Sequence, residues 1–319
     1  MKNKMKIVFM GTPDFAVLAL EAIVEAGHEV TCVVTQPDKP KGRGKEMQYT
    51  PVKECALKYG IPVFQPVKIK QPEEIAILRE YEADIYVVAA FGQILSQEIL
   101  DIPKFGCVNI HASLLPKYRG AAPIQWAILD GETQTGVTIM QMNAGLDTGD
   151  MLTKVVVPIT QEDTGESLHD KLSAAGAKLI VETLPLIERG EIIPEKQDDS
   201  KSCYARMLNK AMGKIDWSRP AVEIERLVRG LNSWPSAFTS FRGKNLKIWE
   251  AKVAEIKGTE AKPGCVTEVD RESFTVQTGE GGLRIFSVQI EGKKRMTVRD
   301  FLLGYKVEPG ERLGDSMGK

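Results

Sequence analysis

The sequence predicts an α/β fold: a mostly parallel, Rossmann-like sheet followed by a second unit of short strands. Three observations point there. Apolar, β-branched runs alternate with amphipathic stretches from the start of the chain to about Glu188. Gly190–Tyr204 is then polar and without periodicity. Beyond it, short strand candidates recur at the spacing of about 8–12 residues expected of a small β-barrel. The 319 residues suffice for two domains, and the expected division is 1–189, a linker at 190–206, and 207–319.

In order, Lys6–Met10 reads as a buried strand ending at Gly11, Asp14–Ala26 as an amphipathic helix, and Glu29–Thr35 as a second strand. This β-α-β opening lacks the dinucleotide fingerprint. Its first turn, Gly11-Thr12-Pro13-Asp14-Phe15-Ala16, carries proline where a glycine would admit a pyrophosphate, which argues against NAD or FAD. Pro51–Tyr59 and Pro72–Tyr81 read as helices, Val63-Phe64 as a short strand, and Asp84–Ala90 as another central strand. Ala122–Leu129 reads as a helix, and Thr135–Met142 and Met151–Val157 as strands. A long helix, Thr164–Glu188, has Thr164 as its cap. A helix over Ala221–Leu231 precedes strand candidates at 237–241, 246–250, 264–269, 274–278 and 283–288.

Composition is that of an ordinary globular protein, 43% apolar and 27% charged. The five cysteines lie singly and in odd number. That argues against a disulfide framework or zinc site and fits a cytoplasmic location. No membrane-length apolar run or signal peptide is expected. The net charge of −1 divides unevenly, −7 over 1–205 and +6 over 206–319, which suits a nucleic-acid partner for the basic part or plain surface variation. Gln36–Tyr49 is a long polar connection with Lys39, Lys41, Arg43 and Lys45 at alternate positions around two glycines. Spaced cations on such a loop suit a phosphate backbone.

The chemistry is expected in Gly106–Gly120, GCVNIHASLLPKYRG. Asn109 and His111 stand two apart on a short strand, so amide and imidazole emerge on one face where the strand opens into a loop. Only three histidines exist, which excludes a His-rich metal cluster, and there is no GxSxG elbow. The glycine-bracketed loop Asn143–Asp150 offers Asp147 as acidic partner. An amide and an imidazolium can stabilise an oxyanion while a carboxylate holds the imidazole and relays a proton. That set suits acyl transfer to an amine without a covalent enzyme intermediate. Phe91-Gly92-Gln93-Ile94-Leu95, after the strand at 84–90, exposes backbone groups to a ligand or simply completes the core.

Asn109-Ile110-His111, Ser113-Leu114-Leu115-Pro116, Tyr118-Arg119-Gly120 and Gly145-Leu146-Asp147-Thr148-Gly149 resemble the signature of 10-formyltetrahydrofolate-dependent formyltransferases. Phe9–Phe15, the basic loop and Trp234-Pro235-Ser236-Ala237-Phe238 extend the resemblance along the chain. It implies Asn109, His111 and Asp147 as the catalytic trio. It implies a folate pocket bordered by Phe91, Gly92, Gln93, Ile94 and Leu95 and by Ser113, Leu114, Leu115 and Pro116. The family usually has proline where this chain has Ser96, which reads as a variation at a helix start. The resemblance further implies an OB-like C-terminal barrel, no metal and a monomer. The acceptor it implies is methionyl-initiator tRNA, held partly by Lys39, Lys41, Arg43 and Lys45. Rival readings are transfer to a nucleotide-sugar amine, hydrolysis of 10-formyltetrahydrofolate, or RNA binding without catalysis.

Overall fold

The structure is a computed structural model that describes residues 4–41, 46–256 and 261–314. The chain forms two compact units. One comprises Met1–Pro123, Gln134–Pro158 and His169–Ala205; the other comprises Ile124–Thr133, Ile159–Leu168 and Arg206–Lys319.

The first unit contains strands β1 (Lys6–Gly11), β2 (Glu29–Val34), β3 (Lys39–Lys41), β4 (Glu46–Gln48), β5 (Val63–Phe64), β6 (Ile85–Ala89), β7 (Cys107–His111), β8 (Arg119–Gly120), β9 (Gln134–Gln141), β10 (Met151–Pro158) and β11 (Tyr204–Ala205). Its main helices are α1 (Val17–Glu25), α2 (Pro51–Lys58), α3 (Pro72–Glu80) and the short α4 (Gln97–Leu100). Seven strands form one sheet in the order β10-β9-β7-β6-β1-β2-β5. The five from β7 to β5 are parallel, whereas β9 and β10 are antiparallel additions. Residues of β1 after Lys6 and all of β6 are buried, as expected of strands covered on both faces. From β1 the chain steps outward through β2 to β5, then returns to place β6 and β7 on the other side. The order reverses between β1 and β6, and the C-terminal ends of these strands are where such sheets place ligands.

Local chemistry explains the element ends. Thr50 caps α2, its hydroxyl accepting the Lys53 N–H at 3.1 Å, with Pro51 in the first turn. Gly149, before β10, passes so near β9 that a Cβ would lie 1.6 Å from the Gln141 carbonyl oxygen. The connection Gln36–Tyr49, expected as a loop, carries the antiparallel pair β3 and β4. Lys39 is exposed and Lys41 lies on β3, while Arg43 and Lys45 fall outside the described residues.

The segment expected as a linker is also structured. Met151 and Glu195 exchange backbone hydrogen bonds at 2.8 and 2.9 Å, and β11 pairs in parallel with β8. A polar stretch can be ordered by backbone pairing alone, and such pairing leaves no apolar period to read.

The second unit holds α5 (Pro123–Leu129), the start of α6 (Gly165–Glu188), α7 (Ala221–Gly230) and α8 (Val298–Gly304), with α5 beginning and α6 ending in residues of the first. Thr164 and Ser167 cap α6 reciprocally, at 3.0 and 3.2 Å. Its strands are β12 (Ala237–Phe241), β13 (Lys244–Ala254), β14 (Val266–Val269), β15 (Phe274–Gln277), β16 (Gly282–Ile290) and β17 (Met296–Thr297). They pair antiparallel in the order β12-β13-β16-β15-β14, with β17 on β16. Among the described residues no pairing joins β12 to β14. Register shifts at Ile248–Ala251 bend the long β13 around a core of Trp217, Phe241, Phe274 and Phe301.

Two early segments belong to this unit for identifiable reasons. Trp126 donates its indole N–H to the Arg206 carbonyl at 2.9 Å, and Arg229 donates to the Asp163 carbonyl at 2.8 Å.

At the β14–β15 turn, Asp270 accepts from the Glu272 and Ser273 amides at 2.7 and 2.8 Å, from the Ser273 hydroxyl, and from Arg284. The Glu272 amide above all, then Ser273 and Arg284, hold its carboxyl down to about 2, against the opposing effect of desolvation. The folded value lies below the unfolded one of about 3.9. The stabilisation is therefore present above that pH and lost as pH falls toward 2. Asp270→Asn is expected to lower the unfolding midpoint at pH 7, with the difference from the parent shrinking below pH 4 in thermal melts.

Candidate active site

The candidate residues converge at the C-terminal end of β7. Asn109 and His111 project from that strand, and Asp147 comes from the loop joining β9 to β10. The Asn109 amide lies 3.5 Å from Asp147 Oδ1, and His111 Nδ1 lies 3.7 Å from Asp147 Oδ2. His111 is buried, and the Asp147 side chain is only 12% exposed.

The group that fixes the imidazole is a backbone carbonyl. His111 Nε2 lies 2.8 Å from the Tyr118 carbonyl oxygen. A carbonyl can only accept, so Nε2 carries the hydrogen and Nδ1 is the nitrogen turned toward Asp147. The sequence assigned this orienting role to Asp147; at 3.7 Å the carboxylate is a charge neighbour, while Tyr118 sets the tautomer. Asp147 Oδ2 in turn accepts the Gly120 N–H at 2.8 Å. Gly120 has φ +109, and a Cβ there would meet the Ala205 carbonyl oxygen at 2.8 Å, so only glycine can present this amide. Tyr118 and Asp147 have φ of 58 and 52, in the left-handed region sparsely used by non-glycine residues. Three residues with positive φ, in two loops, thus set the place of one carboxylate.

The segment from Ser113 to Pro116 follows β7 and is tied down on both sides. Ser113 is fully buried and donates its hydroxyl to the Lys117 carbonyl at 2.6 Å. Thr138, on the antiparallel strand β9, donates to the Ser113 carbonyl at 2.7 Å and accepts the Leu115 N–H at 3.2 Å. Leu115 packs with Met140 and Met151, Leu114 is half-buried, and Pro116 follows a cis peptide bond.

Residues 91–95 leave β6, the parallel neighbour of β7, at the same end of the sheet. The Phe91 carbonyl accepts from Thr12 Oγ1 at 2.9 Å and from Gln36 Nε2 at 3.2 Å, tying the loops after β1 and β2 to it. Gln93 accepts the Ile69 N–H at 2.8 Å and donates to the Pro66 carbonyl at 2.9 Å. Phe91 and Leu95 are buried in the hydrophobic core, Gly92 is exposed at φ 85, and Ile94 is 65% exposed. The segment therefore anchors itself through alternate residues and presents Gly92 and Ile94 outward. Ser96 takes the N-cap position of α4 in extended backbone, in keeping with a helix start.

Nearby alternatives for catalysis are weak. Cys107 opens β7, but burial pushes its thiol well above the ordinary range, which suppresses the thiolate. Among the described residues no three His, Cys, Asp or Glu side chains are grouped to hold a metal ion. Among them, too, no helix is long and apolar enough to cross a membrane.

A family model described as formyl transferase matches residues 5–184, and one described as formyl transferase, C-terminal domain, matches residues 207–306. The chain belongs to the formyltransferase family. It is 58% identical over 306 residues to a methionyl-tRNA formyltransferase of Agathobacter rectalis, spanning 96% of this chain and 98% of that protein. It is 50% identical over 312 residues to the protein of that name from Geobacter sulfurreducens, spanning 98% of each. Two solved structures share the fold. One is an N-formyltransferase of Helicobacter canadensis crystallised with folinic acid and dTDP-3-aminofucose, with TM-score 0.66, 22% identity, and 92% of this chain and 100% of that one covered. The other is HypX from Aquifex aeolicus in complex with tetrahydrofolic acid, with TM-score 0.65 and 20% identity, where 97% of this chain covers 51% of that longer one.

Several groups around the site of this formyltransferase escaped the sequence reading. The Tyr118 carbonyl and Gly120 amide belong to a quoted motif, but backbone atoms leave no signature of their role. Thr138 reads only as an inward strand residue. It nevertheless supplies two hydrogen bonds inside the core, and removing a buried partner typically costs about 1–3 kcal/mol. Thr138→Val is therefore expected to lower the free energy of unfolding by that amount, measured by urea titration, with the volume nearly preserved.

Proposed function

We propose that this chain transfers the formyl group of 10-formyltetrahydrofolate to the α-amino group of methionyl-initiator tRNA. The observation that carries this reading is the convergence of Asn109, His111 and Asp147 in a chain that matches methionyl-tRNA formyltransferases along nearly its full length. The donor set fits a formyl oxygen. Asn109 uses one amide hydrogen in a long contact with Asp147, and His111 has committed Nε2 to Tyr118 but not Nδ1.

In this reading the ester-linked α-amine is less basic than a free amino terminus, whose pKa is about 7.7–8.0, so it is available as a neutral nucleophile. Its lone pair attacks the formyl carbon, and the carbonyl electron pair moves onto oxygen. Asn109 Nδ2–H and a protonated His111 Nδ1 stabilise that oxyanion. Asp147 balances the imidazolium and accepts the proton leaving the amine. Re-forming the carbonyl breaks the bond to N10, which takes up a proton. Gly92 and Ile94, the outward members of residues 91–95, and Leu114, the half-buried member of residues 113–116, are the side proposed to face the folate. Phe91, Gln93, Leu95, Ser113, Leu115 and Pro116 shape that wall from behind.

Lys39, Lys41, Arg43 and Lys45 are proposed to hold the tRNA backbone, a role favoured by their alternate spacing and by the exposure of Lys39. Dispersed cysteines favour a cytoplasmic setting.

His111→Ala is expected to lower kcat by about 10²–10³, the usual worth of an oxyanion donor, and Asp147→Asn by about 10²–10⁴, that of a general base, with the thermal midpoint little changed. Transfer of labelled formyl to charged initiator tRNA measures this, and near-normal turnover of either variant overturns the trio. Arg43→Ala is expected to reduce kcat/KM for tRNA and to lessen the slope of log(kcat/KM) on log[salt] by about 1. An unchanged slope would remove the loop from tRNA binding. Turnover on a small amine with the tRNA ignored would replace the acceptor.

A further inference from the structure

Residues 195–205 lie between the two segments matched by the family models, in the stretch whose sequence reads as a linker. In the first unit they form a strap across the Asp147 loop. The Arg119 and Ala121 amides donate to the Cys203 and Ala205 carbonyls at 3.0 and 2.9 Å, and the Tyr118 amide donates to the Cys203 sulfur at 3.2 Å. At the other end of the strap stands Gln197. Its amide donates to the Asp147 carbonyl at 2.8 Å and to the Gly149 carbonyl at 2.7 Å. Its Oε1 accepts from Arg119 Nε at 2.9 Å, and Arg119 Nη2 reaches Asp199 at 2.7 Å.

The direction of every bond in this chain is forced. Arginine only donates and carbonyls only accept, so the Gln197 side chain can sit only one way round. It joins the carbonyl of Asp147 itself and that of Gly149, two residues on, to Arg119, the residue between Tyr118, which fixes His111, and Gly120, which fixes Asp147. Asp147 is a non-glycine residue at φ 52, a conformation that persists only when its surroundings hold it. At the opposite end the loop is tied by Asn143, whose Oδ1 accepts the Gly145 amide at 3.0 Å and the Thr148 hydroxyl at 2.9 Å.

We infer that Gln197 is a positioning residue for the formyl transfer: it holds the Asp147 backbone so that the carboxylate stays beside His111, although Gln197 itself touches no reacting atom. The inference rests on the trio proposed above. It gives the segment before the second family match a part in the chemistry, and it makes that segment sensitive to changes distant from any substrate.

A double-mutant cycle in the full-length protein tests it. Gln197→Glu is isosteric and keeps an acceptor for Arg119, but it can donate to neither carbonyl. Gln197→Met removes the donors without adding charge. Both are expected to slow single-turnover formylation about ten- to hundredfold, the cost of a misplacement of about 1 Å, with KM for tRNA within about twofold of the parent. Placed on Asp147→Asn, which is itself slow, Gln197→Met is expected to add less than about twofold, because residues acting as one unit are not additive. The ring nitrogens of the three histidines give a second readout by ¹⁵N NMR. Gln197→Met is expected to shift the His111 resonances and leave those of His28 and His169 in place. Near-parental turnover of both Gln197 variants, or an equal slowing with and without Asp147, would overturn the positioning role while leaving the trio intact. Normal turnover of Asp147→Asn alone would instead overturn the trio, and the positioning role with it.

Discussion

A carboxylate held away from water beside an imidazole is the constraint on which the rest of the site depends. A charge taken out of water costs several kcal/mol unless hydrogen bonds replace its hydration. Asp147 meets that requirement with the Gly120 amide on one oxygen and the Asn109 amide on the other, with His111 Nδ1 alongside. To supply the Gly120 amide, the chain must turn through positive φ at Tyr118 and again at Gly120. To aim the carboxylate, it must do so at Asp147 as well. The same turn at Tyr118 delivers the carbonyl that fixes the His111 tautomer. One electrostatic demand therefore dictates the backbone of two loops and the choice of glycine between them.

The sheet makes this arrangement reachable. Because β6 and β7 are parallel neighbours, the segments that follow them open at the same end. Because β9 lies beside β7, with Thr138 opposite His111 and Met140 opposite Asn109, the same neighbourhood receives Thr138 at the Ser113–Pro116 segment, and the loop joining β9 to β10 brings Asp147 to it. The two antiparallel additions at the edge are thus part of the site.

Features carried by side-chain period and type were legible in the sequence. Asn109 and His111 two apart on an apolar strand, the Gly-bounded Asp147 loop, the parallel core strands and the Thr164 cap follow from local rules of geometry. What stayed hidden was carried by backbone atoms or by pairing across long separations. The Tyr118 carbonyl has no residue-type signature. Gln197 lies 50 residues from Asp147 in a polar stretch with no periodicity. The pair β3 and β4 arises in a segment rich in lysine, proline and glycine, residues that strands ordinarily avoid. The Tyr118 carbonyl that meets the imidazole stayed hidden for the same reason: a sequence names carboxylates and is silent about carbonyls.

Neither compact unit is contiguous in the chain. Ile124–Thr133 and Ile159–Leu168 fold with Arg206–Lys319, while His169–Ala205 folds with the beginning of the chain. On the ribosome, the two early segments emerge before the strands that complete their unit exist. At a synthesis rate of about 5–20 residues per second they wait several seconds for those partners. The same interleaving restricts how such a chain can be rearranged. A recombination joint placed near residue 206 would part Trp126 and Asp163 from the Arg206 carbonyl and the Arg229 guanidinium they bond, so exchange of one half for that of a relative replaces only part of a folding unit.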